Sequence, residues 1–539
     1  MKVLREVPRS VSRPLTVIVL VAWALMMGSL LRRSYLQASS VTLAGDLARY
    51  GSAAQWKGIY YRGEKIGFAV GQTVPTPDGY ELQEDGQIQM TLLGASTAAR
   101  IRTSARVDKA FALRSFSFSL DPGTGAVEVR GTLAHEGRRL ELTTKTAGGT
   151  RTETRDLEEA PALSLNLSRR LAAEGLRTGA HLTVPVFDPA TLRNATMNVD
   201  VEGREVVKAA GRPVPAFRVR TEFAGITSTS WVTDVGEVVR EESGMGLIVV
   251  KETRDRALAL AVPGEMQRDM LQAAAVEPAG PGRIDDPRLV DVLRLRVEGL
   301  GTRSPDLEGA GQTVAGDVFE IRDLTAAAAG PADPEAAQSL KPEPFIESDD
   351  PEVRKEAEKG TADAVGPRAQ AEKLVRHVNF ILEKKPTMSL PSAREVLRTR
   401  VGDCNEHTVL YVAMARSLGI PSRIAVGLVY LHGAFYYHAW PEVYLEGPPG
   451  RGLWLPVDPT LNEFPADATH VRLARGGLDR QAAIIPLIGH IKMSILEAQA
   501  RPGTTHVLLG RAARDTRPIE IAFPRREGGG PTCWSRPAH

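Results

Sequence analysis

Apolar and polar residues alternate in short runs over residues 56–255. Segments such as RIRTSARV, RSFSFSL and AFRVRTEF are apolar at every second position, and Gly, Pro, Asp and Asn cluster between them. Successive side chains of a β-strand point to opposite faces, so this period indicates antiparallel strands with one solvated face. The pattern predicts an antiparallel β-rich module over 45–265, with a hairpin near Gly63 and one short helix around 167–176.

The alternation stops in segments that are rich in Ala, Pro and Gly. Residues 273–287 and 326–345 have the composition of linkers, and a short run of strand character lies between them. From residue 350 onward, apolar side chains recur at helical spacing. The rest of the chain is therefore predicted to contain a linker with a short mixed segment (266–349), an α+β domain (350–500) and a partly disordered C-terminal extension (501–539).

A third pattern lies at the start of the chain, where LTVIVLVAWALMMGSLL is apolar from Leu15 to Leu31. Four basic residues and one acid precede this run, which is just long enough to cross a bilayer. Arg32 and Arg33 stand where signal-peptide cleavage would require small residues. We expect an uncleaved transmembrane signal-anchor over 1–33, with the body outside the cytoplasm, periplasmic or extracellular. A cleaved signal peptide is the alternative.

Composition narrows the classes of function. The chain has 539 residues, a formal net charge of +2 and two cysteines. This length exceeds that of a single core, so several domains are expected. The chain shows no Lys/Arg stripe interleaved with aromatic residues, so we expect no nucleic-acid partner. Two cysteines cannot build a disulfide framework, and Cys533 lies in the Gly-rich tail, so we do not expect it to pair with Cys404.

Cys404 stands where a helix is predicted to begin. Asp403 can act as the N-cap, and Glu406 follows three residues later, as in a capping box. An apolar stripe follows, and the helix is predicted to end near Gly419. The N–H groups and partial positive charge of a helix N-terminus would lower the pKa of a thiol and bind an oxyanion. The position suits a nucleophile, although a cysteine at a helix terminus is more often structural.

His438 and Asp458 are the candidate partners of such a nucleophile. The segment YYHAWPEVYL places His438, Trp440 and Glu442 on one face of a predicted strand, and LWLPVDP ends a neighbouring strand at Asp458. Adjacent antiparallel strands would set the carboxylate beside the imidazole and orient it as a base. Pro441 has no N–H for a strand ladder, so the strand is expected to be an edge or to carry a bulge there.

Three motif blocks occur in order: GDCNEHTVLYVAMARSLGIPSRIAVGLVY, YYHAWPEVYL and LWLPVDP. Together they resemble the transglutaminase-like superfamily, whose core is a papain-like Cys-His-Asp fold, over about residues 389–464. The resemblance implies that Cys404 is the nucleophile, His438 the base and Asp458 the orienting acid. It implies thiol-dependent acyl transfer or hydrolysis at an amide bond of a peptide or protein, without a cofactor. The membrane segment and β-rich module also resemble bacterial membrane-associated members.

The sequence departs from the animal transglutaminases at two points. It has no tryptophan near Cys404 comparable to the one that they place beside the oxyanion, and no acidic cluster resembling their calcium sites. These departures favour a peptidase or amidase over a true protein-glutamine amine transferase, which stays an alternative. A catalytically silent envelope scaffold or binding protein is the other alternative.

Several residues near the predicted triad have two interpretations each. Trp440 is either core packing or a pocket wall, or else a participant in the chemistry, and Glu442 either supports the histidine or is a solvated strand charge. Glu406 is first a helix-cap residue. His407 and His432 could join Cys404 and His438 in binding a metal, but their spacing matches no regular ligand pattern, and zinc would silence the thiolate. We therefore predict no metal site.

Overall fold

A computed structural model describes residue 50 and most of the chain from 54 to 510. The predicted membrane segment and Cys533 lie outside the described residues. Among the helices in the described part of the chain, none has both the length and the apolarity to cross a bilayer. The described ranges are 50, 54–92, 95–123, 125–146, 149–244, 246–259, 275–280, 282–300, 307–387, 390, 392–476, 484, 487, 489–501 and 508–510.

Fourteen antiparallel strands form one large sheet, as the alternating pattern predicts. Its spatial order is β8-β7-β6-β5-β4-β3-β2-β1-β14-β13-β12-β11-β10-β9, so two meanders meet where the first strand pairs with the last. The strands are β1 (Gln55–Tyr61), β2 (Glu64–Thr76), β3 (Gly79–Leu92), β4 (Ala95–Asp108), β5 (Leu113–Asp121), β6 (Val127–Ala134), β7 (Arg139–Thr146), β8 (Gly149–Asp156), β9 (His181–Asp188), β10 (Arg193–Ala209), β11 (Arg212–Phe223), β12 (Ile226–Val232), β13 (Val238–Ser243) and β14 (Leu247–Glu252).

One helix connects the two halves of this sheet. Helix α1 (Ser164–Glu174) lies between β8 and β9 in the chain, close to the predicted position. Leu167 and Leu171, one helical turn apart, pack against the β9–β12 half. Leu163, directly before the helix, packs with strands of the other half. The predicted hairpin is also present, since β1 and β2 meet at Gly63, whose φ is 89°.

The segment predicted as a linker contains more structure than its composition indicated. Its alternating run VDVLRLRVE forms the central part of a four-stranded antiparallel sheet of order β17-β18-β16-β26. The strands of this sheet are β16 (Val290–Glu298), β17 (Gln312–Ala315), β18 (Val318–Arg322) and, from later in the chain, β26 (Lys492–Ala500). Short elements elsewhere in the described residues are α2 (Arg254–Leu258), β15 (Gly282–Ile284) and β27 (Leu508–Gly510), with 3-10 turns at His135–Gly137, Pro287–Leu289 and Ala336–Leu340.

Helices packed on a five-stranded sheet follow, in agreement with the helical period after residue 350. The sheet has the order β19-β24-β23-β22-β25. The elements are α3 (Pro351–Gly360), α4 (Pro367–Ile381), α5 (Ala393–Thr399), α6 (Cys404–Ser417), β19 (Gly330–Pro331), β20 (Glu383–Lys384), β21 (Val401–Gly402), β22 (Ser422–Leu431), β23 (Ala434–Glu446), β24 (Arg451–Pro456) and β25 (Val471–Arg475).

Helix α6 is the centre of this second core. Every residue from Glu406 to Ser417 is buried, and the helix packs against α3, α4, α5 and the sheet. The Tyr411 hydroxyl donates to the Ala371 carbonyl of α4 at 3.0 Å, which ties the two helices together. A helix that is buried on all sides has little freedom to shift, so the position of its first residue, Cys404, is fixed.

Candidate active site

The first turn of α6 is closed by a capping box, as the sequence predicts. Asp403 accepts the N–H of Asn405 at 2.9 Å and also that of Glu406. In return, the Glu406 carboxylate accepts the Asp403 N–H at 2.8 Å. The Thr387 hydroxyl donates to Glu406 at 2.6 Å and holds the carboxylate in place. The cap fixes the orientation of the half-buried Cys404 at the start of the helix.

Cys404 lies beside β23, on the side of that strand that faces away from β22. The Ala439 N–H faces the Cys404 thiol and lowers its pKa, and the Ala439 carbonyl accepts the Thr408 hydroxyl, one helical turn further on, at 3.0 Å. The N–H and C=O of one strand residue point to the same side, so both groups face away from β22. The start of α6 therefore lies beside Ala439 of β23, the residue that follows His438 in the chain.

Pro441 marks the point at which strand β24 stops pairing with β23. Strand β24 pairs with β23 only over Glu442–Glu446, and the Pro441 carbonyl accepts the N–H of Val457 at 2.9 Å. Residues 439 and 441 point to the same side of the strand, so the N–H that Pro441 lacks would have lain outside the β22–β23 ladder. Strand β23 lies between β22 and β24 and shows no register shift against either, so the prediction of an edge or a bulge at Pro441 was wrong. Pro441 stands opposite Val457 at the end of the β24 pairing, where its missing N–H removes one bond of the ladder.

His438 and Asp458 form a buried pair. The distance from His438 Nε2 to Asp458 Oδ2 is 2.7 Å. An ionised carboxylate can only accept, so Nε2 carries the proton and Nδ1 is left as the basic atom of a neutral ring. Asp458 Oδ1 accepts the N–H groups of Thr460 at 2.7 Å and Leu461 at 2.9 Å. Strand order thus sets the carboxylate beside the imidazole, as the sequence analysis expects.

His470 is a member of this cluster that the sequence analysis missed. It lies directly before β25, is 4% exposed, and its Nε2 is 3.1 Å from the same Asp458 Oδ2. Its Nδ1 is 3.3 Å from Asp467 Oδ1. The only sequence signal is an Asp-Ala-Thr-His turn before an apolar strand, which alone does not indicate a site. Burial would lower the pKa of His470, but Asp458 and Asp467 raise it well above its ordinary value.

The pKa of Asp458 shows the strength of these contacts. Burial would raise it, but the two histidines outweigh burial and hold it well below its ordinary range. Trp440 is 1% exposed and packs against both imidazoles, with ring centroids 6.1 Å from His438 and 5.1 Å from His470. It is therefore packing for the cluster.

Glu442 differs from both interpretations of the sequence. It is fully buried and forms ion pairs with Arg423 at 2.8 Å and Arg472 at 2.6 Å, instead of contacting His438 or solvent. Burial would raise the pKa of Glu442, but Arg472 and Arg423 lower it below its ordinary value. The Arg423 guanidinium also lies 3.7 Å from the centroid of the Trp454 ring. Glu442 is thus a buried carboxylate that forms ion pairs with two arginines.

Comparison with protein families identifies this part of the chain. A family model described as the transglutaminase-like superfamily matches residues 353–459. Residues 353–459 therefore form a transglutaminase-like domain. The match includes Cys404, His438 and Asp458 and ends before His470.

Three solved structures are similar to the chain at low identity. A candidate cysteine protease from Cytophaga hutchinsonii has 16% identity and a TM-score of 0.25, covering 42% of this chain and 90% of its own. A DUF1089 family protein from Pseudomonas aeruginosa has 12% identity and a TM-score of 0.21, covering 37% and 91%. A candidate protease from Parabacteroides distasonis has 12% identity and a TM-score of 0.20, covering 68% and 67%. No curated protein matches the sequence.

The thiol of the transglutaminase-like domain departs from the expected electrostatics. Burial raises the pKa of Cys404 well above its ordinary value, and the carboxylates of Asp403 and Glu406 raise it further. The Ala439 N–H acts in the opposite direction. The expectation of a lowered pKa was wrong because the capping box that starts the helix sets two acids beside the thiol, and because the site is desolvated. The resting thiol is protonated.

The histidines proposed as metal ligands do not gather around Cys404. His407 is buried, its Nδ1 donates to the Asp403 carbonyl at 2.7 Å, and burial lowers its pKa to about 4. His432 is exposed in the β22–β23 turn. Donor atoms of His438, Asp458 and His470 lie within 4.8 Å of one another, as do those of Glu463, Asp467 and His470. Asp458 and Asp467 already accept ring N–H groups, and Glu463 accepts the Asp467 N–H and the Arg288 guanidinium, so we interpret both groups as hydrogen-bond networks.

Gly427→Ala should destabilise the protein by about 1–3 kcal/mol, as overpacking does. Gly427 lies opposite His438 in β22, and a Cβ there would be 2.0 Å from the Val471 carbonyl oxygen in β25. Urea unfolding measures the loss. Gly203→Ala is the matched control, because nothing lies within 4 Å of its added Cβ. Equal stability of the two variants would contradict this close approach.

Proposed function

We propose that the transglutaminase-like domain catalyses thiol-dependent acyl transfer or hydrolysis at an amide bond of a peptide or protein. One observation carries the proposal. Cys404, in the first turn of a buried helix, contacts the backbone of β23 one residue after His438, whose ring is bonded to buried Asp458. Nucleophile, base and orienting acid thus belong to elements that pack directly on one another.

In the proposed first step, His438 takes the thiol proton at Nδ1 while Cys404 Sγ attacks the amide carbonyl. A base is required because burial and two nearby acids keep the resting thiol protonated. Asp458 accepts from Nε2–H and stabilises the imidazolium that forms. The amide carbonyl becomes a tetrahedral centre, and its oxygen takes the negative charge.

The Cys404 N–H is the proposed donor to that oxyanion. The neighbouring N–H groups of Asn405, Glu406 and His407 are already bonded to Asp403, the first two to its side chain and the third to its carbonyl. Collapse of the tetrahedral centre breaks the C–N bond, and His438 returns its proton to the leaving amine. An acceptor then attacks the thioester and releases Cys404.

The acceptor decides between two reactions. Water gives a peptidase or amidase, which we favour because the sequence lacks the oxyanion tryptophan and calcium-site acids of the animal transglutaminases. A primary amine gives a transferase. We further propose that the body acts outside the cytoplasm, anchored by the apolar run at 15–31.

A peptide mixture tests the proposal. Full-length protein with Cys533→Ser is incubated with it, with and without a primary amine, and the products are read by mass spectrometry. New termini indicate a peptidase, a side-chain carboxylate in place of an amide indicates an amidase, and an amine adduct indicates a transferase. Products that persist unchanged in Cys404→Ala would contradict the thiol mechanism.

A catalytically silent scaffold is the second candidate, and the raised pKa of Cys404 favours it. A scaffold needs no reactive thiol, so Cys404→Ala would retain the full cellular role. Loss of that role, with the fold retained, would leave the enzyme as the better interpretation.

Alkylation of Cys404 by iodoacetamide should speed up mainly above the ordinary thiol value of about 8.5, because a raised pKa moves thiolate formation to higher pH. Asp403→Asn should make the reaction faster at neutral pH, since it removes a nearby charge while asparagine can still cap the helix. The rates are measured in Cys533→Ser protein, with exposed Asp156→Asn as the control. Alkylation that is fastest below neutral pH would contradict the raised pKa.

A further inference from the structure

His470 lies between two carboxylates. Its Nε2 is 3.1 Å from Asp458 Oδ2, and its Nδ1 faces Asp467 Oδ1 at 3.3 Å and the Asp467 carbonyl at 3.2 Å. Each of these oxygens can only accept a hydrogen bond when the carboxylates are ionised. A neutral imidazole has one N–H, so it would satisfy only one side. The geometry therefore requires the doubly protonated, positively charged ring.

The acids around His470 are themselves held in place. Asp467 Oδ1 accepts both the N–H and the hydroxyl of Thr469, at 2.8 and 2.6 Å. Glu463 accepts the Asp467 N–H at 3.2 Å and pairs with Arg288 at 3.1 Å. A chain of contacts therefore runs from Arg288, whose side chain is 62% exposed, through these acids to buried His470 and on to Asp458.

We propose that His470 is a positioning residue for the proposed enzyme, an inference that rests on the proposed function. As an imidazolium, His470 holds Asp458 in place and keeps His438 neutral. Nδ1 of His438 is then free to accept the Cys404 proton. Asp458 Oδ2 is shared by the two rings, so the positive charge of His470 compensates the carboxylate that would otherwise favour protonation of His438. His470 thereby tunes the base instead of touching the substrate.

Two other basic groups face this cluster. Lys384 and His407 also interact with Asp458, and burial lowers the pKa of both, to about 4 for His407, which is neutral near pH 7. The side-chain hydrogen bonds to Asp458 come from His438 and His470 among the described residues. Asp403 and Glu406 of α6 act on Cys404. Burial beside Asp467 raises the pKa of Glu463 to about 7.

The charge state of His470 is directly measurable. In full-length protein isotope-labelled at the histidine ring nitrogens, the His470 signals are those lost in His470→Gln. We expect both of its nitrogens to be protonated at neutral pH, whereas His407 should give the spectrum of a neutral ring. One unprotonated nitrogen on His470 at neutral pH would overturn the proposal.

The same spectra report on His438. In His470→Gln its apparent pKa should rise by about one unit, because the compensating charge is gone. The acid limb of the kcat/KM profile should move to higher pH by the same amount, which a structural defect alone would not produce. An unchanged His438 titration would overturn the proposal. If His470→Gln does not fold, Asp467→Asn takes its place. The signals that move in Asp467→Asn identify the His470 ring, and the apparent pKa of His438 should shift in the same direction.

The two proposals fail separately. A titration in Cys404→Ala, which has no nucleophile, measures the coupling of His470 to His438 without any turnover. Turnover by wild-type protein that disappears in Cys404→Ala, together with an unshifted His438, would leave the enzyme standing and remove His470 from its role. A shifted His438 without thiol-dependent turnover would support the coupling and refute the enzyme.

Discussion

Cys404→Ala should lower amide-bond turnover by at least about 10⁴-fold, the scale on which removing a nucleophile acts in enzymes with such triads. The physical reason is that no other described residue combines a thiol with the first turn of α6 and a position beside β23. The measurement is kcat/KM on a peptide found in the product screen. The fold should persist, because the capping box of Asp403 and Glu406 does not involve the thiol.

Two matched variants make this result specific. Cys533→Ser removes the other cysteine of the chain and should leave turnover unchanged. Cys404→Ser keeps the size and position of the group but replaces the thiol by a much weaker nucleophile. Turnover in Cys404→Ala within a few-fold of wild type would refute the proposed mechanism.

Glu442→Gln should destabilise the protein by about 3–5 kcal/mol, the cost of breaking a buried ion pair by removing one partner. Glutamine keeps the shape of Glu442 but removes the carboxylate charge that pairs with Arg472, which is almost completely buried, and weakens the hold on Arg423. Urea unfolding followed by tryptophan fluorescence measures the loss. Glu446→Gln, at the exposed end of the same strand, is the control and should change stability little.

The effect of Glu442 should also depend on pH. The pKa of Glu442 is lower in the folded protein than its unfolded value of about 4.3. Its ionisation therefore contributes stability above that value, and the contribution is lost as pH falls through the folded-state pKa. The difference between wild type and Glu442→Gln should narrow in acid. A constant difference across this range would show that the carboxylate charge is not what stabilises the sheet.

Features that depend on neighbours in the chain could be predicted from the sequence. The capping box of Asp403 and Glu406 spans three residues, and the alternating runs before residue 255 carry the period of a strand. Pro441 indicated an interruption in the strand ladder because the missing N–H is a property of the residue itself, although β23 is not an edge strand. In each case the physical cause lies within a few positions of the pattern.

Features that depend on tertiary contacts could not be predicted from the sequence. Arg472 is the partner of Glu442 from thirty residues away, and His470 reaches Asp458 only because β25 returns beside β22. The raised pKa of Cys404 was missed for a related reason. The helix terminus is visible in the sequence, but the burial that outweighs its partial charge results from the packing of the whole domain.

The pairing of β1 with β14 constrains the order in which the large sheet can form. The Tyr60 hydroxyl of β1 donates to Glu252 of β14 at 2.6 Å, across 192 residues of sequence. During synthesis, β1 to β8 can pair as successive hairpins, but the outer edge of β1 has no partner until β14 has been made. Contacts of such long range slow folding. An unpaired edge can also join strands of other chains, so a nascent chain arrested before residue 247 should be aggregation-prone.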